Sequence, residues 1–328
     1  MTAPVIAIVV PCYNEQEVLP ETNRRLLALL DRLVAAGRVD AASVVVYVDD
    51  GSRDATWALI EAQSRADRRV HGLKLSRNRG HQHALLAGLL NAPGDAVVSI
   101  DADLQDDVDA IERMVDEFRT GAEVVYGVRS SRASDSGFKR RTAQAYYRWM
   151  RRMGVELVYD HADFRLLGRR AIEALRGYDE VNVFLRGIVP LLGFRQAMVE
   201  YQRAERYAGV SKYPLGRMLA FAVEGITSFS VVPLRAITAL GFVVSAFSFA
   251  MIVYVVYGTL VLKAVVPGWA SSVVPIYFLG GIQLLAIGIL GEYIAKIYLE
   301  TKRRPRFTVE RTVPGPAAVS PPGRHEER

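Results

Sequence analysis

The sequence predicts an α/β domain with a mostly parallel sheet, followed by an interfacial helix and two transmembrane helices, and three observations carry that prediction. Short apolar runs end in acidic or polar turns that lead into helical patterns, and this unit recurs before residue 110. The acids at 49 and 50 are followed roughly fifty residues later by those at 101 and 103, as a βαβ rhythm requires. Residues 236–262 and 269–291 contain no charged side chain, and each run exceeds the ~20 residues that cross a bilayer.

Composition narrows the class. The chain has 328 residues, 51% of them hydrophobic, enough to bury a substantial core. Its net charge is +6, but the basic residues form no stripe interleaved with aromatics, so lipid headgroups and phosphates are the expected anionic partners and nucleic acid is not. A single cysteine, Cys12, excludes an internal disulfide and fits a reducing compartment. Met1 leads into a short apolar strand with no signal-peptide pattern.

Residues 5–10 form the first predicted strand, ended by Pro11, and Asn14, Glu15 and Glu17 precede a helix over about 18–36. The second strand, residues 44–48, runs into VDDGSRDAT, where Gly51 permits a tight turn and Ser52 and Asp54 cap a helix from about Thr56. A third strand at 72–75 leads to Arg77, Asn78, Arg79 and Gly80 before a helix from about Gln82, whose positive end suits phosphate. His81 and His83 are two apart and fall on different helical faces, so they are expected to start and pack the helix rather than share a metal.

The fourth strand, 97–100, ends in DADLQDD. Asp101, Asp103 and Gln105 alternate, and in an extended chain they offer hard oxygen donors to Mg²⁺ or Mn²⁺ on one face. No G-x-G-x-x-G follows the first strand and no glycine-lysine phosphate loop occurs, so the expected fold is Rossmann-like without a dinucleotide or NTPase fingerprint.

PCYNE at 11–15, VDDGSRDAT at 48–56, NRGHQHALLAGL at 78–89 and DADLQDD at 101–107, in this order and spacing, resemble the GT-A domain of family 2 glycosyltransferases. The segments beyond residue 128 resemble the branch that transfers a sugar to a polyprenyl phosphate, typified by dolichyl-phosphate mannose synthases and bacterial undecaprenyl-phosphate glucosyltransferases. That resemblance reaches about residue 300. It implies a catalytic domain over 1–213, a juxtamembrane amphipathic helix over 214–232, a transmembrane hairpin over 233–300, and a basic then disordered tail over 301–328.

The resemblance also assigns roles. Pro11, Tyr13, Glu15 and Asp50 are expected to line the nucleotide pocket, with Asp50 on base or ribose, while Asp101 serves either the ion or the ribose. Asp103, with Gln105 and Asp101, would hold the ion that neutralises the diphosphate. A phosphate monoester with a second pKa of about 6 is already ionised at neutral pH, so no general base is strictly required. Asp163 is accordingly better suited to shaping the sugar pocket than to taking a proton. Arg129, Arg141, Arg165, Arg206, Ser211 and Lys212 stand in the segments expected to meet the acceptor phosphate, with Arg129 and Arg206 foremost.

Arg235 before the first span, and Lys302, Arg303, Arg304 and Arg306 after the second, predict cytoplasmic termini in the inner or plasma membrane. Gly280, Gly281, Ala286, Gly288 and Gly291 would permit homo-oligomers through the membrane helices, and Glu292 is expected at the interface or against Arg235. The expected activity is inverting, metal-dependent transfer of a monosaccharide from a nucleotide sugar to a polyprenyl phosphate, UDP-glucose being favoured over GDP-mannose. Two alternatives stand beside it. One is a hydroxyl-acceptor membrane transferase, which usually carries a Q-x-x-R-W motif not found here; the other is a non-catalytic scaffold that binds nucleotide sugar.

Overall fold

The computed structural model describes residues 3–129, 161–181, 183–202, 232–260 and 268–313. It divides into two compact units, the first comprising residues 1–143, 157–212 and 304–328 and the second residues 144–156 and 213–303.

The first unit is built on one sheet. Strands β1 (Ile6–Cys12), β2 (Val44–Asp49), β3 (Val70–Leu75), β4 (Ala96–Ser99), β5 (Val124–Arg129), β6 (His161–Gly168), β7 (Gln196–Tyr201) and β8 (Val309–Val313) lie in the order β7-β5-β6-β4-β1-β2-β3-β8. The first four are parallel to one another, linked by α1 (Leu19–Ala35), α2 (Thr56–Ala66) and α3 (His81–Asn91). Strand order reverses at β1: β2 and β3 lie to one side and β4 to the other, which opens a cleft beyond the carboxyl ends of β1 and β4.

Both faces of the sheet are covered. Ile6, Ile8 and Val10 pack with Leu26, Leu29, Leu30 and Leu33 of α1 and with Ile111 and Met114 of α4 (Ala110–Arg119). On the opposite face α3 lies so close that a Cβ added at Gly88 would stand 2.3 Å from Val9. Runs of β-branched residues buried on both sides are what a central parallel strand requires.

Pro11, expected to end the first strand, lies inside β1 opposite Val48. Pairing with β4 stops at Val9 and Ser99, and Val9 and Pro11 point to the same side. The missing proline N–H therefore faces the side where the ladder has already ended.

Three strands depart from the βαβ rhythm. β6 enters antiparallel between β4 and β5, while β7 runs parallel to β5. The third, β8, overturns the expectation of a tail disordered from about Val309: Val309–Val313 pairs antiparallel with β3. Val313 fills the notch left by the absent side chain of Gly72, Lys74 pairs with Glu310 at 3.5 Å, and Arg311 pairs with Glu61 at 3.3 Å. Arg306, one of the basic residues beyond the second apolar run, donates to the Tyr178 carbonyl and lies 3.8 Å from Asp179.

In the second unit α7 (Val232–Leu260) and α8 (Trp269–Thr301) contain windows of mean hydropathy 1.7 and 1.6, long and apolar enough to cross a membrane. Their large apolar side chains, Phe242, Phe247 and Leu284 among them, face outward as lipid contact requires. Among the described residues Arg235 and Glu292 form no ion pair. The expected helix at 214–232 lies outside the described residues up to Val231.

The pairing of β8 makes a testable statement about stability. A chain ending at Thr308 should melt at least ~3 °C below one ending at Val313, as follows from a loss of about 1 kcal/mol in a domain of this size. Thermal unfolding of both full-hairpin chains in detergent measures the difference.

Candidate active site

The cleft is framed by three loops that the sequence makes mutually dependent. Asn14 adopts a left-handed backbone (φ 56°), and its amide donates to Ser52 Oγ at 3.0 Å while its Oδ1 accepts from the Arg53 amide at 2.9 Å. The Glu15 amide donates to Thr56 Oγ1 at 2.9 Å, and the Ala55 amide to Gln16 Oε1 at 3.0 Å. Asp54 accepts from the Thr56 amide and hydroxyl, the local capping expected of it, and also from the Gln16 amide. The PCYNE and DDGSRDA loops are thus a single stitched wall.

Asp50 ties that wall to the third loop. Its Oδ1 accepts from the Arg79 amide at 2.7 Å and its Oδ2 from the Gly80 amide at 2.9 Å. Only 3% of Asp50 is exposed, and burial, outweighing those two bonds, raises its pKa. Asp50 thereby holds the loop before α3 in place. Pro11 is likewise buried in β1, which leaves Tyr13, 42% exposed, and Glu15 as the open side chains of this wall.

Across the cleft lies the acidic turn after β4. Asp103 Oδ1 accepts from the Gln105 amide at 3.1 Å, and Leu104 between them is buried in a left-handed conformation (φ 56°), a strained geometry for a branched side chain. The Asp101 side chain keeps 41% of its surface. Its pKa is pushed up to about 6 by burial in the cleft and by Asp163, Asp106 and Asp103, with His81 opposing. Carboxylate oxygens crowded into one turn are the hard donors that suit Mg²⁺ or Mn²⁺. Among the described residues no three His, Cys, Asp or Glu side chains converge on one ion position. A site formed by two carboxylates and completed by substrate phosphate oxygens is the arrangement such an ion takes. Gln105, expected as a third ligand, is buried at the turn.

Asp163 on β6 forms the floor. Four side chains converge on it: Arg165 Nη2 at 2.5 Å, Gln82 Nε2 at 2.9 Å, Arg186 Nε and Nη2 at 3.3 Å, and His81 Nε2 at 3.4 Å. Burial alone would raise its pKa, but His81, Arg165 and Arg186 outweigh that and hold it well below the usual carboxylate range. His81 also stands 3.6 Å from Asp101, and its pKa is raised because the two carboxylates overcome the effect of burial.

Arg165 requires a correction. It is 0% exposed and donates to Asp163 and to the Leu185 carbonyl, so an acceptor phosphate has no path to it. Its role is to neutralise Asp163 from below. Arg129, at the end of β5, lies at the cleft with Nε 3.5 Å from Tyr201 Oη. Arg141, Arg206, Ser211 and Lys212 lie outside the described residues.

Two site residues escaped the sequence reading. Arg186, on the short helix α6 (Leu185–Leu191), is 36% exposed and reaches Asp163 from the cleft side. His81, expected only to start a helix, is turned into the site by its place at the first position of α3, whereas His83 points away to the Val181 carbonyl. The signal for both was present: arginine and histidine at element starts, beside loops already rich in site residues.

Residues 7–176, from β1 through α5 (Arg169–Arg176), match the family described as glycosyl transferase family 2. The chain belongs to that family. It is 50% identical over 312 residues to the uncharacterized glycosyltransferase YkoT of Bacillus subtilis strain 168, covering 94% of this chain and 91% of that protein. It is 40% identical over 309 residues to the bactoprenol glucosyl transferase of Shigella phage SfX, covering 93% of this chain and 98% of that one. Among solved structures, mannosyl-3-phosphoglycerate synthase from Rubrobacter xylanophilus aligns with TM-score 0.46 at 17% identity, over 73% of this chain and 75% of its own. The family match ends with α5, so β7, α6 and the helical hairpin lie beyond it.

Within this glycosyltransferase site, a Cβ at Gly51 (φ 68°) would lie 2.6 Å from the Asn78 nitrogen and 2.7 Å from the Arg77 carbonyl carbon. Gly51→Ala should therefore cost about 1–3 kcal/mol, read by denaturant unfolding of the full chain. Asp163→Asn removes one partner of a buried ion pair and should cost about 3–5 kcal/mol at pH 7. The Asp163 pKa is lower in the folded state, so its contribution is complete above the unfolded value of about 4 and is lost as pH falls through the folded value. The gap between Asn variant and parent should narrow only in that acid range, which unfolding curves at pH 7 and below pH 4 will register.

Proposed function

We propose that the protein transfers glucose from UDP-glucose to a polyprenyl phosphate, with inversion at the anomeric carbon, on the cytoplasmic face of the membrane. The observation that carries this reading is the surroundings of Asp163: a buried carboxylate clamped by Arg165, Arg186, His81 and Gln82 is a poor proton acceptor. A sugar hydroxyl needs its proton removed, whereas a phosphate monoester arrives ionised. The relatives named bactoprenol glucosyl transferase support a lipid-phosphate acceptor and glucose as the sugar.

Asp101 and Asp103 would hold Mg²⁺ or Mn²⁺, which when bound neutralises the departing diphosphate. The stitched wall of Tyr13, Glu15 and the Asp50-braced loop positions the nucleoside. His81 and Arg186, oriented by Asp163, face the cleft where negative charge gathers as the glycosidic bond breaks. Arg129 supplies positive charge for the incoming phosphate, which attacks from the face opposite the leaving group, so an α-linked donor gives a β-linked lipid sugar. A cytoplasmic catalytic unit accords with Arg235 and the basic run at 302–306, and with β8 returning to the same sheet.

The test is transfer from radiolabelled UDP- and GDP-sugars to undecaprenyl phosphate in detergent, with Mn²⁺, Mg²⁺ or EDTA. Product is expected from UDP-glucose alone, abolished by EDTA and reduced about 10²-fold or more by Asp103→Ala. Product on a hydroxyl acceptor but none on the lipid phosphate would overturn the reading.

A further inference from the structure

The acidic turn is less supported than its buried neighbours suggest. One side borders an open cavity of about 600 Å³ lined in part by Arg24, Arg32, Leu104, Asp106 and Gln202. Leu104 holds the turn in a strained backbone conformation. A turn of this kind keeps its carboxylates aimed only if something else fixes it.

Tyr201 is that fixture. Its hydroxyl donates to Asp106 Oδ1 at 2.5 Å, the length of a charge-assisted bond, in the middle of the acidic turn. Its ring meets Phe164 edge to face at 5.2 Å and 88°, and Phe164 sits on β6 between Asp163 and Arg165. In the sheet Tyr201 is registered directly opposite Arg129, whose Nε approaches the same hydroxyl at 3.5 Å. One side chain thus touches the ion-binding turn, the strand carrying Asp163 and the arginine on the acceptor side. Arg113 adds a second link between the same elements, donating to the Glu200 carbonyl at 2.6 Å and lying 3.8 Å from Asp107.

Tyr201 also ends β7, and Gln202 is followed by the segment in which Arg206, Ser211 and Lys212 stand.

We propose that Tyr201 is a positioning residue whose hydroxyl holds the Asp101 and Asp103 turn in register with Arg129, so that donor and acceptor phosphates are presented to one another in a fixed geometry. This deepens the reading above, since the acceptor half of it rests on Arg129 meeting a lipid phosphate.

Tyr201→Phe keeps the ring on Phe164 and removes only the hydroxyl. In the full chain in detergent, isothermal titration with Mn²⁺ and UDP should show about tenfold weaker binding, the size expected for a hydrogen bond to a charged group. The KM for undecaprenyl phosphate should rise as well. Phe164→Leu, which loses the ring contact but keeps the hydroxyl, should lower the melting temperature while leaving Mn²⁺–UDP affinity within about twofold. Should Tyr201→Phe prove unstable, Asp106→Ala reads the same bond from its other end. In the double variant the loss should be no greater than in the worse single one.

A Tyr201→Phe protein with parental Mn²⁺–UDP affinity and parental KM, altered only in melting temperature, overturns the proposal, as do additive losses in the double variant. If the parent transfers nothing to undecaprenyl phosphate but Tyr201→Phe still weakens Mn²⁺–UDP binding tenfold, the brace on the turn stands and the acceptor reading falls.

Discussion

The arrangement of the site depends on one buried negative charge. Asp163 is held ionised in a place where an isolated carboxylate would take up a proton, and it is held so by Arg165 from beneath and by His81, Gln82 and Arg186 from around it. Such an assembly is costly to desolvate, and replacing it with apolar groups of the same volume would commonly be neutral or stabilising. What it supplies is orientation. A histidine and an arginine from different helices, α3 and α6, are fixed toward one cleft because both answer to the same carboxylate.

Order in the cleft spreads outward from loops that have little conformational choice of their own. The wall formed by the first two loops is closed by side chain to backbone bonds in both directions, and Asp50 extends it to the third. Each loop follows a strand of the parallel sheet, so strand register sets the loop positions before any ligand arrives. The side chains are organised by the scaffold rather than by what they bind.

Much of this was legible in the sequence. Apolar runs of β-branched residues, glycines at sharp turns and acids after strands placed β1 to β4 and the starts of α1 to α3 within a few residues, because local pattern and tertiary position agree there. The antiparallel β6 and the returning β8 were not legible, since the pairing of a strand with a distant partner leaves no periodic trace. VERTV has the composition of a tail and becomes a strand only because β3 offers an edge and Gly72 a notch for Val313. Arg165 misled for a related reason: its residue type suggested phosphate, while its alternation in β6 turns it to the interior beneath Asp163. His81 was underrated because helical spacing from His83 was weighed without knowing that α3 begins at the cleft.

The return of β8 also orders events in time. Everything from β1 to β7 leaves the ribosome before the two apolar helices do, and β8 leaves after them. Until then β3 is an open edge, with unpaired backbone groups that invite another strand. The sheet is therefore finished by a segment that exists only once the two apolar helices have been made.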